Sequence, residues 1–395
     1  MEREFIYLDH AATTPLDPEV LAEMMPYLKN HFGNASSMHN LGKYTRKAIE
    51  TSRARIAECI GAKPEEIIFT GSGTEADNIA ILGTAHKMKK FGKHMITTPI
   101  EHPAVRNCFR KLQLEGFEVS YLSIDSEGLV SVEEFKRLLR DDTILVSIIY
   151  ANNEIGSIQP IREIAGITST RNIILHTDAV QAFGKLPINL QQEKIDLLSA
   201  SGHKIYGPKG IGMLFIRNRG KHPARGVYII PITYGGGQEF GFRSATENVA
   251  NIVGFAKSVE ICYNNMSEEN SRLLSLRDDL IRWILSEITG SYLNGGVKHR
   301  VSININVGFE GIDGSELLQA LNNHNIAVSV GSACHSKSHD VSYVLTAMGL
   351  SEEMAAGSIR LTLGRDNTRE QLEYVKNTLK KCVADLRSKS KKRTS

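Results

Sequence analysis

Short apolar runs alternate with amphipathic stretches through the first half of the chain. The runs that predict strands cover residues 66–70, 94–98, 118–123, 143–150, 172–177, 195–200 and 211–216. Stretches with helical periodicity lie between them, at residues 76–90, 103–115, 132–139 and 161–169. Strands separated by helices predict a largely parallel, doubly wound α/β sheet. In such sheets ligands bind beyond the carboxyl ends of the strands.

The pattern changes on either side of this α/β region. Before it come a short apolar run at 5–8 and two helical stretches, one starting at Asp17 and Pro18 and one at 43–59. After Thr246 the sequence predicts long helical segments at 247–264 and 268–288. Strands at 301–307, 326–330 and 359–363 follow, with helices at 314–323 and 368–387. We therefore predict a large domain over residues 15–261 and a smaller α+β domain made of residues 1–14 and 262–395.

Composition narrows the class of protein. The chain has 395 residues, of which 41% are hydrophobic and 23% charged, as in ordinary soluble globular proteins. Its formal net charge of +3 provides no electrostatic basis for binding nucleic acid, and the basic residues near 387–393 are expected to be solvated. No run of 18 apolar residues is present, so we expect no membrane partner.

The five cysteines are far apart in the sequence and contain no CxxC pair. An odd number without a repeated spacing is neither a disulfide framework nor a zinc-ribbon pattern. We therefore expect free cysteines in a reducing compartment, no metal site and a cytoplasmic location. The first residues have neither the apolar core of a signal peptide nor a transit-peptide composition.

Lys204 has an unusual sequence context for a lysine. It follows Ser201, Gly202 and His203 at the end of an apolar run, and a Gly-Pro-Lys-Gly turn comes next. A single lysine is most often solvated. Small flanking residues allow close packing, however, and a desolvated lysine amine is suited to attack on a carbonyl, as in Schiff-base lysines.

Other polar residues follow the predicted strands in the same way. Gly73 and Thr74 open a helix after a strand, which is typical of a monophosphate site as well as of a plain helix cap. Asp178 ends another strand, where it could cap a helix or keep a heteroaromatic nitrogen protonated. His102 follows a third strand and could stack on a ring or serve structure alone. Together these residues describe a site for pyridoxal phosphate.

Two residues of the second half also carry candidate chemistry. Cys334 lies in a polar stretch beside His335 and Lys337, which could lower its pKa, whereas the other four cysteines have apolar or helical contexts. Arg360 lies inside an otherwise apolar strand. Such an arginine needs a partner, either an internal carboxylate or the carboxylate of a substrate.

With these residues in place, the chain resembles the NifS/IscS-type cysteine desulfurases of aminotransferase class V, and within them the longer-loop subgroup. The motifs that carry the resemblance span nearly the whole chain and include Asp9-His10-Ala11-Ala12-Thr13-Thr14-Pro15, Gly73-Thr74-Glu75-Ala76-Asp77-Asn78, Glu101-His102-Pro103, Asn152-Asn153-Glu154-Ile155-Gly156, Asp178-Ala179-Val180-Gln181, Ser201-Gly202-His203-Lys204, Arg243-Ser244-Ala245-Thr246 and Gly331-Ser332-Ala333-Cys334. At Asn34-Ala35-Ser36-Ser37 the chain has alanine where the family usually has proline.

The resemblance implies the pyridoxal-phosphate fold type I and a set of residue roles. Lys204 would bind the cofactor covalently and move protons, and His102 would stack on its ring. Asp178 would pair with the ring nitrogen and Gln181 with the ring hydroxyl. The residues that would bind the phosphate are Gly73, Thr74, Ser201, His203 and, from the partner subunit of a homodimer, Thr246. The residues that would orient the substrate are Asn34, Asn153 and Arg360, with Asn153 also near the cofactor.

The implied reaction removes sulfur from L-cysteine. Cys334 would attack the substrate sulfur, L-alanine would leave, and the Cys334 persulfide would pass its sulfur to an acceptor protein. That acceptor could be an iron–sulfur scaffold or a sulfurtransferase serving thio-cofactor synthesis or tRNA thiolation. Three alternatives remain open at this point: a selenocysteine lyase, a class-V aminotransferase and a non-catalytic assembly subunit. An open-loop cysteine favours sulfur transfer over transamination, and the presence of Lys204, Asp178 and Cys334 argues against a non-catalytic subunit.

Overall fold

The structure is a computed structural model that describes residues 5–224, 226–331 and 341–394, with side chains as far as residue 389. The strands are β1 (Ile6–Tyr7), β2 (Ile67–Thr70), β3 (His94–Thr97), β4 (Glu118–Tyr121), β5 (Thr143–Ser147), β6 (Ile174–Asp178), β7 (Leu197–Ser201), β8 (Gly212–Ile216), β9 (Lys221–His222), β10 (Gly226–Val227), β11 (Ser291–Leu293), β12 (Asn304–Phe309), β13 (Ile326–Ala327) and β14 (Ser358–Thr362). The helices are α1 (Pro18–Lys29), α2 (Asn40–Ile60), α3 (Gly73–Met88), α4 (Pro103–Leu114), α5 (Val132–Leu138), α6 (Ile161–Thr170), α7 (Val249–Glu287), α8 (Gly314–Asn322), α9 (Tyr343–Ala347), α10 (Glu352–Ala356) and α11 (Arg369–Thr394).

A seven-stranded sheet forms the centre of the molecule, in the order β2-β8-β7-β6-β5-β3-β4. All strands are parallel except β8, which pairs antiparallel with both β2 and β7. The predicted mainly parallel α/β sheet with flanking helices is therefore confirmed. The carboxyl ends of β2, β3, β5, β6 and β7 all lie along one edge of this sheet.

The reversal at β8 follows from the short connection before it. Only a 3₁₀ turn at Gly202–Lys204 and a tight loop separate β7 from β8. That is too short for the helical crossover that a parallel neighbour requires. Antiparallel pairing of Ser201 with Gly212 thus fixes the backbone immediately before Lys204.

The sheet is buried on both faces, which explains why its strands are continuous apolar runs. On one face β-strand residues such as Ile68 and Leu145 pack with Ile79 of α3 and Phe109 of α4. On the other face the core continues through α2, α6 and α7 and into the C-terminal elements. Both layers hold the strand ends rigidly in place.

The C-terminal part contains a three-stranded antiparallel sheet in the order β11-β12-β14. The first strand, β1, pairs in parallel with β13, so the N-terminus lies against this part of the chain. Helix α7 is continuous over 39 residues and crosses the boundary at residue 262 without a break. The division into domains at that residue stays a prediction.

None of the helices in the described part of the chain combines the length and the apolar character that crossing a bilayer requires.

Candidate active site

A cavity of about 380 Å³ opens at the carboxyl edge of the central sheet. Ten residues that the sequence singled out line it together: Gly73, Thr74, His102, Asn153, Asp178, Gln181, Ser201, His203, Lys204 and Arg360. They come from segments far apart in the sequence, and they meet because the parallel strands that precede most of them end at one edge.

Lys204 lies at the end of the 3₁₀ turn that follows β7. Its Nζ donates hydrogen bonds to the carbonyl oxygens of Ala11 and Ala12, at 2.6 Å each. The two alanines that follow β1 have small side chains, which lets their backbone come close to the amine. The amine is held inside the cavity and not in bulk solvent.

Asp178 is buried at the end of β6, next to the strand that leads to Lys204. Its Oδ1 accepts a hydrogen bond from the Val180 amide at 2.9 Å. Burial raises the pKa of Asp178 from 3.8 to about 7, and the neighbouring carboxyl of Asp77 adds to the increase. A cationic ring nitrogen beside Asp178 would offset this cost by stabilising the carboxylate.

Gln181 lies one turn after Asp178 and donates from Nε2 to the Ala11 carbonyl oxygen at 2.9 Å. The same oxygen accepts from Lys204. Gln181 and Lys204 are therefore joined through one backbone group, which fixes both side chains at the cavity wall.

His102 caps the N-terminus of α4, where its Nδ1 accepts a hydrogen bond from the Ala104 amide at 3.2 Å. Burial lowers the pKa of His102, and Lys204 contributes to the decrease while Asp178 opposes it. A neutral imidazole whose Nδ1 is an acceptor carries its proton on Nε2. His102 thus presents a flat, neutral ring to the cavity.

The opposite end of the cavity is suited to an anion. Helix α3 begins there with Ser72 as its cap, and Gly73 and Thr74 form its first turn, where the helix dipole favours negative charge. A Cβ on Gly73 would lie 2.7 Å from Val180 Cγ2, so only glycine leaves this approach open. His203 contacts Thr13 Oγ1 through Nδ1 at 3.1 Å, and burial lowers the pKa of His203 to about 4.

Arg360 is buried in β14 and faces the same cavity. Its Nη2 donates to Asp9 Oδ1 at 2.8 Å and its Nη1 to the Asn153 carbonyl oxygen at 2.9 Å. Among the described residues, Arg360 Nε and the side-chain oxygen Oδ1 of Asn153 have no hydrogen-bond partner. The two residues therefore keep a buried donor and a buried acceptor for a further polar group.

Three predicted site residues are not part of this cavity. Asn34 is exposed and accepts a hydrogen bond from the Ser36 amide at 2.8 Å. Thr246 is also exposed and borders a separate hollow beside Gly71. Cys334 lies outside the described residues.

The cavity also contains acidic and aromatic residues that the sequence did not single out. Asp77 is fully buried within α3, and burial raises its pKa from 3.8 to about 7. Glu154 is buried too, and its Oε2 accepts a hydrogen bond from Ser342 at 2.5 Å. Tyr343 donates to the Glu101 carbonyl oxygen at 2.8 Å. Asp77 occupies a helix interior, so periodicity could not distinguish it from a surface position.

The lining residues fit pyridoxal phosphate. The group needs an amine for its carbonyl, an anion site for its phosphate, a buried carboxyl for its ring nitrogen and a flat partner for its ring. Lys204, the start of α3, Asp178 and His102 meet these needs in that order. The buried carboxyl of Asp178, with its raised pKa, is the observation that most directly calls for a cationic ring nitrogen.

Comparison with known proteins gives a consistent result. Residues 6–375 match the aminotransferase class-V family. The chain is 47% identical over 387 residues to a protein named cysteine desulfurase IscS of Clostridium botulinum, covering 98% of this chain and 96% of the relative. It is also 47% identical over 388 residues to the protein of that name in Dictyoglomus turgidum, with the same two coverages.

Solved structures resemble it over similar lengths. A structure described as a NifS-like protein has a TM-score of 0.89 and 36% sequence identity, and the match covers 96% of this chain and 100% of that one. A structure described as SspA in complex with cysteine has a TM-score of 0.80 and 36% identity, over 91% of this chain and 98% of that one.

Proposed function

The chain belongs to the aminotransferase class-V family, and from this premise we propose that it is a cysteine desulfurase that depends on pyridoxal phosphate. It converts L-cysteine into L-alanine and transfers the sulfur to its own Cys334. The observation that carries the proposal is the convergence of Lys204, Asp178, His102 and Arg360 on one cavity. Relatives that carry the name cysteine desulfurase support the substrate.

Pyridoxal phosphate, when bound, supplies an electron sink that stabilises negative charge on the substrate carbon. Lys204 would hold the cofactor through its amine, and the same amine, when free, would accept and return protons at the substrate carbon atoms. The Ala11 and Ala12 carbonyl oxygens hold its Nζ in the cavity.

Asp178 and His102 control the ring. The Asp178 carboxylate would pair with the ring nitrogen and keep it protonated, which would strengthen the electron sink. The neutral His102 ring, whose Nδ1 accepts from the Ala104 amide, would stack on the cofactor ring and offer its Nε2 proton to the substrate. Gln181 would contact the ring hydroxyl, and Gly73, Thr74, Ser201 and His203, which line the same cavity, would bind the phosphate.

Arg360 and Asn153 orient the substrate. The planar guanidinium of Arg360 pairs with the α-carboxylate through donors that its bonds to Asp9 and the Asn153 backbone leave available. The unpaired Asn153 Oδ1 accepts from the substrate or the cofactor.

Cys334 is the proposed sulfur acceptor. Its thiol attacks the substrate sulfur, the substrate carbon–sulfur bond breaks, and a sulfur–sulfur bond forms at Cys334. The substrate carbon that loses sulfur takes up a proton, which balances the proton lost from the Cys334 thiol. L-Cysteine and a thiol therefore give L-alanine and a persulfide with no external oxidant. A reductant or an acceptor protein, such as an iron–sulfur scaffold or a sulfurtransferase, then takes the sulfur.

We further propose that the enzyme is a homodimer. Thr246 and Asn34 lie outside the cavity of the single chain and are exposed, which fits a contribution to the site of a partner subunit. Large apolar side chains are exposed near Asn34, including Phe32 and Met38, at 77% and 89% exposure. Exposed apolar residues clustered in this way are typical of subunit interfaces.

A cytoplasmic location is also proposed. Cys59, Cys108, Cys262 and Cys382 are free thiols in the described part of the chain, which is typical of a reducing compartment.

The direct test is to reconstitute the protein with pyridoxal phosphate, supply L-cysteine and a reductant, and quantify alanine and sulfide. Equal amounts of the two products support the desulfurase. An amino-group transfer to a keto acid, or no product at all, would contradict it.

A further inference from the structure

A second lysine ammonium is buried behind Lys204. Lys185 lies in the turn that follows Asp178, and its Nζ is buried without a hydrogen-bond partner among the described residues. Burying a cation without a partner costs free energy, so proteins rarely keep one that serves stability alone. Lys376 shows the usual solution, since its buried Nζ donates to Asp279 and Glu373 at 2.7 Å each.

Lys185 and Lys204 line the same small cavity, of about 30 Å³, which is distinct from the main site cavity. The backbone of Lys185 is fixed, because its amide donates to the Ala182 carbonyl oxygen at 3.0 Å and its own carbonyl oxygen accepts from Asn270 at 2.7 Å. A Cβ on the preceding Gly184 would lie 2.8 Å from Ile205 Cγ2. The turn is thus packed tightly against the segment that carries Lys204.

Three of the other titratable groups around this cavity carry no charge near neutral pH. Burial lowers the pKa of His10, raises the pKa of Cys262 to about 11 and raises the pKa of Tyr206. All three are therefore neutral. They can neither compensate the charge of Lys185 nor screen it from its surroundings.

The remaining acid at this cavity, Glu269, already has a partner. Its Oε2 accepts from Arg365 Nε at 3.0 Å, and Arg365 also pairs with Asp17 at 2.9 Å. Arg365 is thus shared between two carboxylates, so Glu269 offsets part of the Lys185 charge without bonding to its ammonium. Among the groups that line the cavity, Lys204 is the one whose proposed chemistry depends on its protonation state, and the charge of Lys185 acts on that state.

We propose that Lys185 is a positioning residue for Lys204: its buried positive charge disfavours a second positive charge nearby and keeps the Lys204 amine in its neutral, nucleophilic form. The proposal rests on the proposed role of Lys204 as the cofactor lysine. Two cations in a shared low-dielectric environment repel strongly, and a neighbouring cation is a known way to activate a lysine amine. In agreement, burial lowers the pKa of Lys185 itself to about 8, and Lys204 adds to the decrease.

The test is the substitution Lys185→Met, which keeps the length of the side chain and removes its charge. The pH dependence of the visible absorbance of bound pyridoxal phosphate reports protonation of the Lys204 nitrogen. We expect its midpoint to move to higher pH by roughly one unit, because the repelling charge is gone. In the full chain without cofactor, acetylation of Lys204 followed by mass spectrometry should slow several-fold at fixed pH.

The matched control is Lys376→Met, which removes a buried ammonium that has two carboxylate partners. This control should lower the unfolding temperature and leave the absorbance midpoint unchanged. Lys185→Met should leave the unfolding temperature equal to or above that of the wild type, since it removes a buried ammonium that has no hydrogen-bond partner among the described residues.

An unchanged midpoint and an unchanged acetylation rate in Lys185→Met would overturn the proposal. Lys185→Gln provides a second neutral variant, and if neither variant folds, Lys185 is a structural residue and the proposal is wrong. Neither readout requires desulfuration. A wild type that binds the cofactor but makes no alanine would overturn the proposed function, while the absorbance midpoint and the acetylation rate could still be measured and interpreted.

Discussion

Arg360 in β14 donates to the carboxylate of Asp9 across 2.8 Å, so the first residues of the chain hold the arginine that faces the cofactor cavity. The ion pair explains why a buried arginine is tolerated inside an apolar strand. It also fixes the orientation of the planar guanidinium, and a fixed plane is what paired hydrogen bonds to a carboxylate require.

Replacing this arginine by lysine should therefore impair substrate binding specifically. Arg360→Lys keeps the charge but loses the planar fork of donors. We expect KM for L-cysteine to rise by about tenfold or more, with the absorbance of the bound cofactor unchanged. Steady-state kinetics of the variant and the wild type measure this change in KM. Arg162→Lys, at an arginine that is 70% exposed, is the control and should leave KM unaltered. An unchanged KM in Arg360→Lys would remove Arg360 from the substrate site.

Gly73 provides a test of the anion end of the cavity. In Gly73→Ala the new methyl group meets Val180 Cγ2 at 2.7 Å, so either Val180 or the start of α3 must move where the phosphate is proposed to bind. We expect affinity for pyridoxal phosphate to fall about tenfold or more, measured by titration of the cofactor-free protein. Wild-type affinity in this variant would contradict the assignment.

The matched glycine is Gly166 in α6, which is exposed and has open space around its Cα. Gly166→Ala should stabilise the protein by roughly 0.5–1 kcal/mol, because alanine favours the helix and loses less entropy on folding. Cofactor affinity should be unchanged in this control.

The buried carboxyl of Asp77 makes a prediction about pH. Burial raises its pKa from 3.8 to about 7, so the folded state keeps a proton that the unfolded state has lost between these values. Wild-type stability therefore falls as pH rises through this window. Asp77→Asn removes the free-energy cost of ionising this buried carboxyl. Measured without cofactor, the variant should therefore gain in unfolding temperature relative to the wild type as the pH rises from about 5 to about 8.

Asp279→Asn is the control for this measurement. The hydrogen bond from Lys376 lowers the pKa of Asp279 below 3.8, so its contribution is already complete at pH 5. The corresponding difference in unfolding temperature should stay flat from pH 5 to pH 8. A flat profile for Asp77→Asn as well would mean that Asp77 is not a protonated acid in the folded protein.

Much of the site could be predicted because strand ends leave a local signal. Asp178 and Lys204 each follow an apolar run, and parallel strands bring such positions to one edge. Asp77 could not be recognised in this way, since it lies within α3 and its burial depends on the sheet packed against that helix. The antiparallel direction of β8 likewise depends on a loop too short for a crossover, which hydrophobic patterning does not reveal.

The proposed dimer is tested through Thr246. In the single chain this residue is exposed and does not line the cofactor cavity. If it binds phosphate in a partner subunit, Thr246→Ala should weaken binding of pyridoxal phosphate while the mass from analytical ultracentrifugation stays that of a dimer. A monomeric wild type with full cofactor affinity would contradict this proposal.

The central claim is that pyridoxal chemistry at Lys204 serves sulfur transfer to Cys334. The most direct measurement is alanine and sulfide production from L-cysteine, with reductant present, by the wild type and by Cys334→Ala, each loaded with pyridoxal phosphate. The account predicts equal amounts of both products from the wild type. It also predicts that Cys334→Ala loses sulfide release while keeping the visible absorbance of the bound cofactor. Undiminished sulfide release by Cys334→Ala would contradict it.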